Sequence, residues 1–312
     1  MRAYIIAILL FTSVVAVSQQ LPQSTFFNYD HMTINPGYAG TQEGICVNIL
    51  ARNQWLGFEG APATQKFDVH TPFKLFGLEH GVGLALFNDK YGFANDINST
   101  LSYAFLRNMG YGKLGIGVGF GLSNQTLEGE WNQPQVGQDY LIPAASAKGK
   151  LAFVFNLGAF YKTSNVFLGL SIMNLNAGDM SFKDNTGITK YSYLVRHYNI
   201  TAGYNYQLAN PLFEIEPAIL ISTIGSSTRI NINSTLRYKG KVWGGIGYRN
   251  TDAITTFLGA EFLEGLFFGV AYDVTTSKIA KFDDGSVEIF LRYVFKIGIE
   301  KDHSNYRSIR FL

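Results

Sequence analysis

The sequence predicts an all-β fold, a transmembrane antiparallel β-barrel of the outer-membrane type with about fourteen strands. Three observations predict it. The chain is divided into short segments of alternating hydrophobicity, most clearly Leu114-Gly115-Ile116-Gly117-Val118-Gly119-Phe120-Gly121-Leu122. A period of two sends successive side chains to opposite faces of a strand. Charged residues make up only 15% of the chain, against roughly 25% in an average soluble domain, while aromatics reach 15% and glycines number 33. Beyond the first eighteen residues no stretch approaches the ~20 apolar residues that a spanning helix needs, so lipid-facing surface has to come from strands.

Met1-Arg2, the apolar run Ala3 to Val15 and the small residues Ala16-Val17-Ser18 read as a signal peptide, residues 1–18, cleaved to leave Gln19. The residue at that point is Gln19 and not a cysteine that could carry a lipid, and Cys46, the only cysteine, has no internal disulfide partner and reads as a small buried filler. Residues 19–44, polar and turn-rich, form a periplasmic lead-in or a segment folded into the lumen. The barrel occupies 45–297, with strands expected at 45–55, 64–74, 81–88, 94–106, 113–124, 150–162, 165–175, 195–207, 213–224, 228–238, 241–249, 254–263, 266–275 and 286–297. Most match the ~9–11 residues of a tilted membrane strand.

Connections after even-numbered strands are short and the others longer on average, the habit of outer-membrane barrels. An even strand count places both chain termini on the short-turn, periplasmic side. With the more apolar parity facing lipid, the strands running toward that side end in Phe73, Phe105, Tyr161, Tyr206, Tyr238, Phe262 and Phe295, an aromatic girdle. The other parity carries polar groups: Lys66, Asp68 and His70; Arg229, Asn231, Asn233 and Arg237; Glu288, Arg292 and Lys296. The separation matters because Arg or Lys facing lipid at mid-bilayer costs about 2–4 kcal/mol. The glycine-lined face of the fifth strand leaves room inside unless something occupies it. Residues 298–312 form a basic, polar C-terminal periplasmic tail that either folds back into the lumen or binds something in the periplasm.

Chemistry is sparse. A net charge of +2 implies no nucleic-acid partner. There is no Gly-x-Ser-x-Gly elbow, phosphate loop or His-Glu-x-x-His. Asp68 and His70 share a lumenal face, where a hydrogen-bond network competes with a metal or catalytic role, and Asp283-Asp284-Gly285 reads as a turn. No catalytic, cofactor-binding or metal-binding residue is assigned, and no small-molecule substrate is expected.

Asn35-Pro36-Gly37-Tyr38-Ala39-Gly40-Thr41, then Arg52-Asn53-Gln54-Trp55 and Gly60-Ala61-Pro62-Ala63-Thr64, resemble the PorP/SprF family of the type IX secretion and gliding machinery of Bacteroidota, as does the closing Ser308-Ile309-Arg310-Phe311-Leu312. Gly37 stands where that family usually has alanine. The resemblance implies a non-enzymatic outer-membrane barrel that assists export or cell-surface tethering of a partner protein with a C-terminal sorting domain. The implied partners are type IX secretion components, a large secreted adhesin recognised through that domain, or both, in a setting of outer-membrane lipid. Arg52 and Gln54 share the lumenal parity of the first strand and are candidates to bind a plug, a loop or a client, with Trp55 facing the other way to anchor at the outer interface. In the tail, Arg307 and Arg310 could pair with an acidic surface while Ile309, Phe311 and Leu312 supply apolar area. The alternative reading of the chain is a porin or substrate-specific transporter.

Overall fold

The computed structural model describes residues 23–128, 146–183, 189–190, 194–225 and 227–296. Fourteen antiparallel strands close into a barrel. They are β1 Ile45–Asn53, β2 Ala63–Leu75, β3 Leu78–Tyr91, β4 Ala94–Met109, β5 Gly112–Glu128, β6 Ala152–Lys162, β7 Val166–Met173 and β8 His197–Tyr204, which resumes as Tyr206–Gln207. β9 Phe213–Ile224, β10 Ser227–Tyr238, β11 Val242–Arg249, β12 Ala253–Leu263, β13 Leu266–Thr275 and β14 Ser286–Phe295 follow. Each pairs with its neighbour in sequence, and β1 pairs with β14, Ile45 opposite Phe295 and Asn53 opposite Val287, so the barrel wall closes on itself.

All the expected strands form. The largest extensions are at β3, β4 and β5, which run to 14, 16 and 17 residues. Asp89, Lys90 and Asp96 interrupt the apolar pattern there, but backbone pairing continues to Tyr91 opposite Ala94. One end of the barrel carries only short connections, at 76–77, 110–111, 163–165, 208–212, 239–241 and 264–265. The other end carries the longer ones, although β3–β4, β9–β10 and β11–β12 turn tightly there as well.

The outward face is apolar: Phe153, Ile246 and Leu258 are each about two-thirds exposed. Of the seven girdle aromatics, Tyr206, Tyr238, Phe262 and Phe295 are exposed and Phe73, Phe105 and Tyr161 half-buried, all at the short-turn end. His80 is embedded in this belt, stacked on Phe73 at 5.4 Å and bonded to the Tyr103 hydroxyl at 2.6 Å.

The interior departs from a polar lumen. Residues 23–44 lie inside the barrel, and every hydrophobic core cluster joins this segment to the wall. Phe26 and Tyr29 pack with Leu50, Trp243, Phe257 and Phe290; Met32, Tyr38 and Ala39 with Ala104, Leu106 and Phe160; Phe27 with Ala218 and Leu220. Burying one such large side chain stabilises by about 1.5–3 kcal/mol, so the segment is held along its length. Strand parity returns Ile45 and Phe295 to the short-turn end, whereas Gln23 lies at the opposite mouth, beside Gln54 and Asn250. Residues 1–22 and 297–312, and with them the signal-peptide and tail assignments, lie outside the described residues.

Candidate functional site

The plug is fastened at its upper end by charge. Glu288, with no exposed surface, accepts hydrogen bonds from the Ser24 hydroxyl (2.7 Å), the Thr25 amide (2.9 Å), the Phe26 amide (3.1 Å) and Arg52 (3.0 Å). Asp273 accepts from the Thr25 hydroxyl (2.9 Å), Arg52 (2.6 Å) and Arg249 (3.0 Å). Asn233 donates to the Thr25 carbonyl at 2.7 Å, and lower down Lys66 pairs with Asp30 at 2.6 Å. Buried carboxylates stay ionised only when paired and hydrogen-bonded in this way.

At the lower end the seat is made of absent side chains. Asn35 accepts from the Gly37 amide (2.9 Å), capping the short 3-10 turn Pro36–Tyr38, and donates to the carbonyls of Ala159 (3.0 Å) and Leu170 (3.2 Å). A Cβ on Gly115 would stand 2.2 Å from the Gly37 carbonyl oxygen, on Gly117 2.4 Å from that of Pro36, on Gly158 2.1 Å from the Asn35 side chain, and on Gly81 2.0 Å from the Ala39 oxygen. The glycine face of β5 is thus a socket for the Asn-Pro-Gly-Tyr-Ala-Gly turn. Gly119 and Gly121 continue the run but face wall atoms instead.

Asp68 accepts from Asn48 at 2.8 Å, and His70 takes the Gly40 amide on its Nδ1 at 3.2 Å beneath the Tyr38 ring, so both are bound into wall and plug. Cys46 is buried and free. His31 sits within the plug among Tyr38, Phe160 and Phe167, and burial, then Lys162 and Arg292, pushes it down to about 3. Released from the barrel, the same imidazole would bind a proton below about 6.5. Seating is therefore fully favoured above that pH and weakens by up to about 1.4 kcal/mol per unit as pH falls toward 3. After correction for the slower intrinsic exchange at low pH, protection of the 26–40 amides should fall between pH 7 and pH 5, and His31→Phe should reduce that dependence.

Of the residues singled out from sequence, Arg52 is 2% exposed and spent on Asp273 and Glu288, where it anchors the plug. Gln54 lies above it, half-buried at the long-loop mouth, its amide bonded to the Pro62 carbonyl at 2.9 Å. Trp55 does not continue the strand's alternation. β1 ends at Asn53, Trp55 takes φ 50°, and the residue lines the mouth. Arg307, Ile309, Arg310, Phe311 and Leu312 lie outside the described residues.

The loop 54–62 forms part of the rim, bonded to Gly285 through the Leu56 amide (2.7 Å) and to Gly92 through the Gly60 carbonyl (2.8 Å). Inside the rim is a cavity of about 510 Å³ walled by Trp55, Phe58, Asp89, Tyr91, Arg229 and Asp252. A deeper cavity of about 100 Å³ shares Asp89 and Tyr91 with it and rests on Thr33 and Ile34 of the plug. Sequence reasoning missed both carboxylates at this junction, Asp89 and Asp96.

A closed antiparallel barrel with an apolar exterior, and a lumen filled by its own N-terminal segment, defines a plugged barrel of the outer-membrane class. The chain belongs to the PorP/SprF family of type IX secretion system membrane proteins, whose family model matches residues 16–293. No curated protein gives a significant match. Among solved structures, the toluene transporter TbuX of Ralstonia pickettii is similar at 10% identity and a TM-score of 0.49, covering 85% of this chain and 93% of its own. The outer-membrane protein Omp33 of Acinetobacter baumannii is similar at 7% identity and 0.47, covering 82% and 100%. The translocator domain of the autotransporter NalP from Neisseria meningitidis is similar at 12% identity and 0.43, covering 86% and 95%.

Proposed function

We propose that this chain is a non-enzymatic outer-membrane barrel that helps export a partner protein bearing a C-terminal sorting domain, or tethers it at the cell surface. The observation carrying this reading is the filled lumen. A wall that closes on its own residues 24–40, through buried ion pairs at one end and a glycine socket at the other, suits a platform for another protein better than a conduit. Family membership supports the setting in secretion. On this reading the short-turn end faces the periplasm, the long-loop mouth faces outward, and residues 298–312 dock a secretion component or the client. Arg307 and Arg310 would give that contact its charge complementarity, and Ile309, Phe311 and Leu312 most of its buried area.

A clean deletion should abolish surface display of a cognate secreted protein without loss of viability. Display persisting at the parental level, with no second family member in the genome, would overturn the proposal. Truncation before Arg307 should cut recovery of partners with the tagged, gently solubilised barrel at least tenfold while leaving the barrel folded. The porin or transporter alternative predicts the opposite pair of results: no co-purifying protein, and steady solute-dependent conductance from the wild-type chain.

A further inference from the structure

We propose that the long-loop mouth is a receptor for a lysine side chain, carried on an extended segment of the partner protein, with Asp89 and Asp96 as its counter-ions. The proposal rests on the tethering reading for the source of that lysine. Asp89 and Asp96 stand directly opposite one another on β3 and β4, a position in which like charges repel. Their donors are neutral: the Thr64 hydroxyl to Asp89 at 2.6 Å, and the Tyr91 hydroxyl at 2.9 Å and the Gln125 amide to Asp96. The cation lining the same cavity, Lys66, is already bound to Asp30. One oxygen of Asp96 is buried with no partner. Across the cavity His197 is only 5% exposed, and neither of its ring nitrogens has a hydrogen-bond partner.

Two carboxylates served only by neutral donors, beside an imidazole with a free lone pair, call for a cationic donor. An alkylammonium has three donors and no acceptor, on a flexible four-carbon stem. The remaining wall fits the stem: Val154, Met173, Met180 and Leu194 line the cavity beside the polar groups, and a long cationic side chain buries an apolar stem while its head finds a charge. Thr33 and Ile34 of the plug line the cavity, and about 100 Å³ admits one side chain. The 510 Å³ mouth above it, walled by Trp55 and Phe58, takes the backbone on either side of that lysine.

The test is calorimetric titration of the purified full chain in detergent with an end-blocked Gly-Gly-Lys-Gly-Gly peptide and its norleucine counterpart. The lysine peptide should bind at least tenfold more tightly. Asp89→Asn with Asp96→Asn should erase that preference. Ala85→Leu, which fills the cavity and leaves both carboxylates in place, should lose the lysine peptide too, with heat-modifiable electrophoretic mobility reporting an intact barrel in each case. Equal binding of the two peptides, a preference that survives the double substitution, or occupation by calcium with no peptide binding would each overturn the proposal. In cells the outcomes separate from those of the tethering reading. If deletion abolishes display but the Asn variant restores it, tethering stands and the lysine site falls. If deletion leaves display intact while the purified barrel still selects lysine, tethering falls and a lysine-selective mouth stands without its assigned source.

Discussion

Gly117→Leu is expected to turn a silent barrel into a conducting one. The Pro36 carbonyl oxygen lies 2.4 Å from where the first side-chain carbon would sit, and the Gly37 nitrogen 2.6 Å from it. Those neighbours are backbone atoms of a capped turn, which cannot rotate aside as a side chain tip can. Overpacking a core usually costs about 1–3 kcal/mol, but here relief is available by unseating the turn. The barrel wall does not depend on that turn for its ladder, since β5 pairs with β4 over 112–127 and with β6 over 113–123. A fourteen-strand wall encloses more than the eight-strand barrel that side chains just fill, so an unseated plug leaves an aqueous path. Planar-bilayer recording of the variant should show steps absent from wild type. Gly119→Leu is the control: its nearest obstacles are the side chains of Asn156 and Thr100, at 3.1 Å, and it should conduct far less. Silence from Gly117→Leu with unchanged thermal stability would mean that the turn is not seated on this strand.

Both halves of that contact were legible in the sequence, but their meeting was not. The period of two identifies Gly115 and Gly117 as a bare inward face, and residues 19–44 as lumenal or periplasmic, yet alternation says only which face a residue occupies. What lies against the face depends on shape. A usable signal was present in the inward parity. Leu50, Phe160, Trp243 and Phe290 are large apolar residues where a water-filled lumen would want polar ones, and each is covered by the plug. Arg52 shows the same limit from the side of charge. Its partners lie 221 and 236 positions away, and only closure of β1 on β14 brings Glu288 opposite it. The pairing of Asp89 with Asp96 depends on β3 and β4 turning in two residues at Gly92 and Phe93, where the apolar pattern had already faded.

Arg52→Met should destabilise the folded, plugged barrel by about 3–5 kcal/mol, the typical result of stripping one partner from a buried ion pair. The size follows from what remains behind. Asp273 retains Arg249 at 3.0 Å and the Thr25 hydroxyl, but Glu288 loses its one cation among the described residues and keeps three neutral donors, all from the plug. A carboxylate without surface exposure cannot recover hydration, so its remaining tie to the plug is set against an uncompensated charge. Adding Glu288→Gln to Arg52→Met removes that charge and should restore much of the loss, although each single change is harmful. Denaturant unfolding in micelles measures the three energies, and protease sensitivity of the segment near Ser24 and Thr25 reports whether the plug's upper end has come free. If Arg52→Met proves as stable as wild type with its plug protected, the charge cluster is incidental, and the glycine socket and aromatic clusters hold the segment unaided. The two substitutions therefore divide the fastening between its ends: one removes a counter-charge near the mouth, the other fills the seat near the short-turn end.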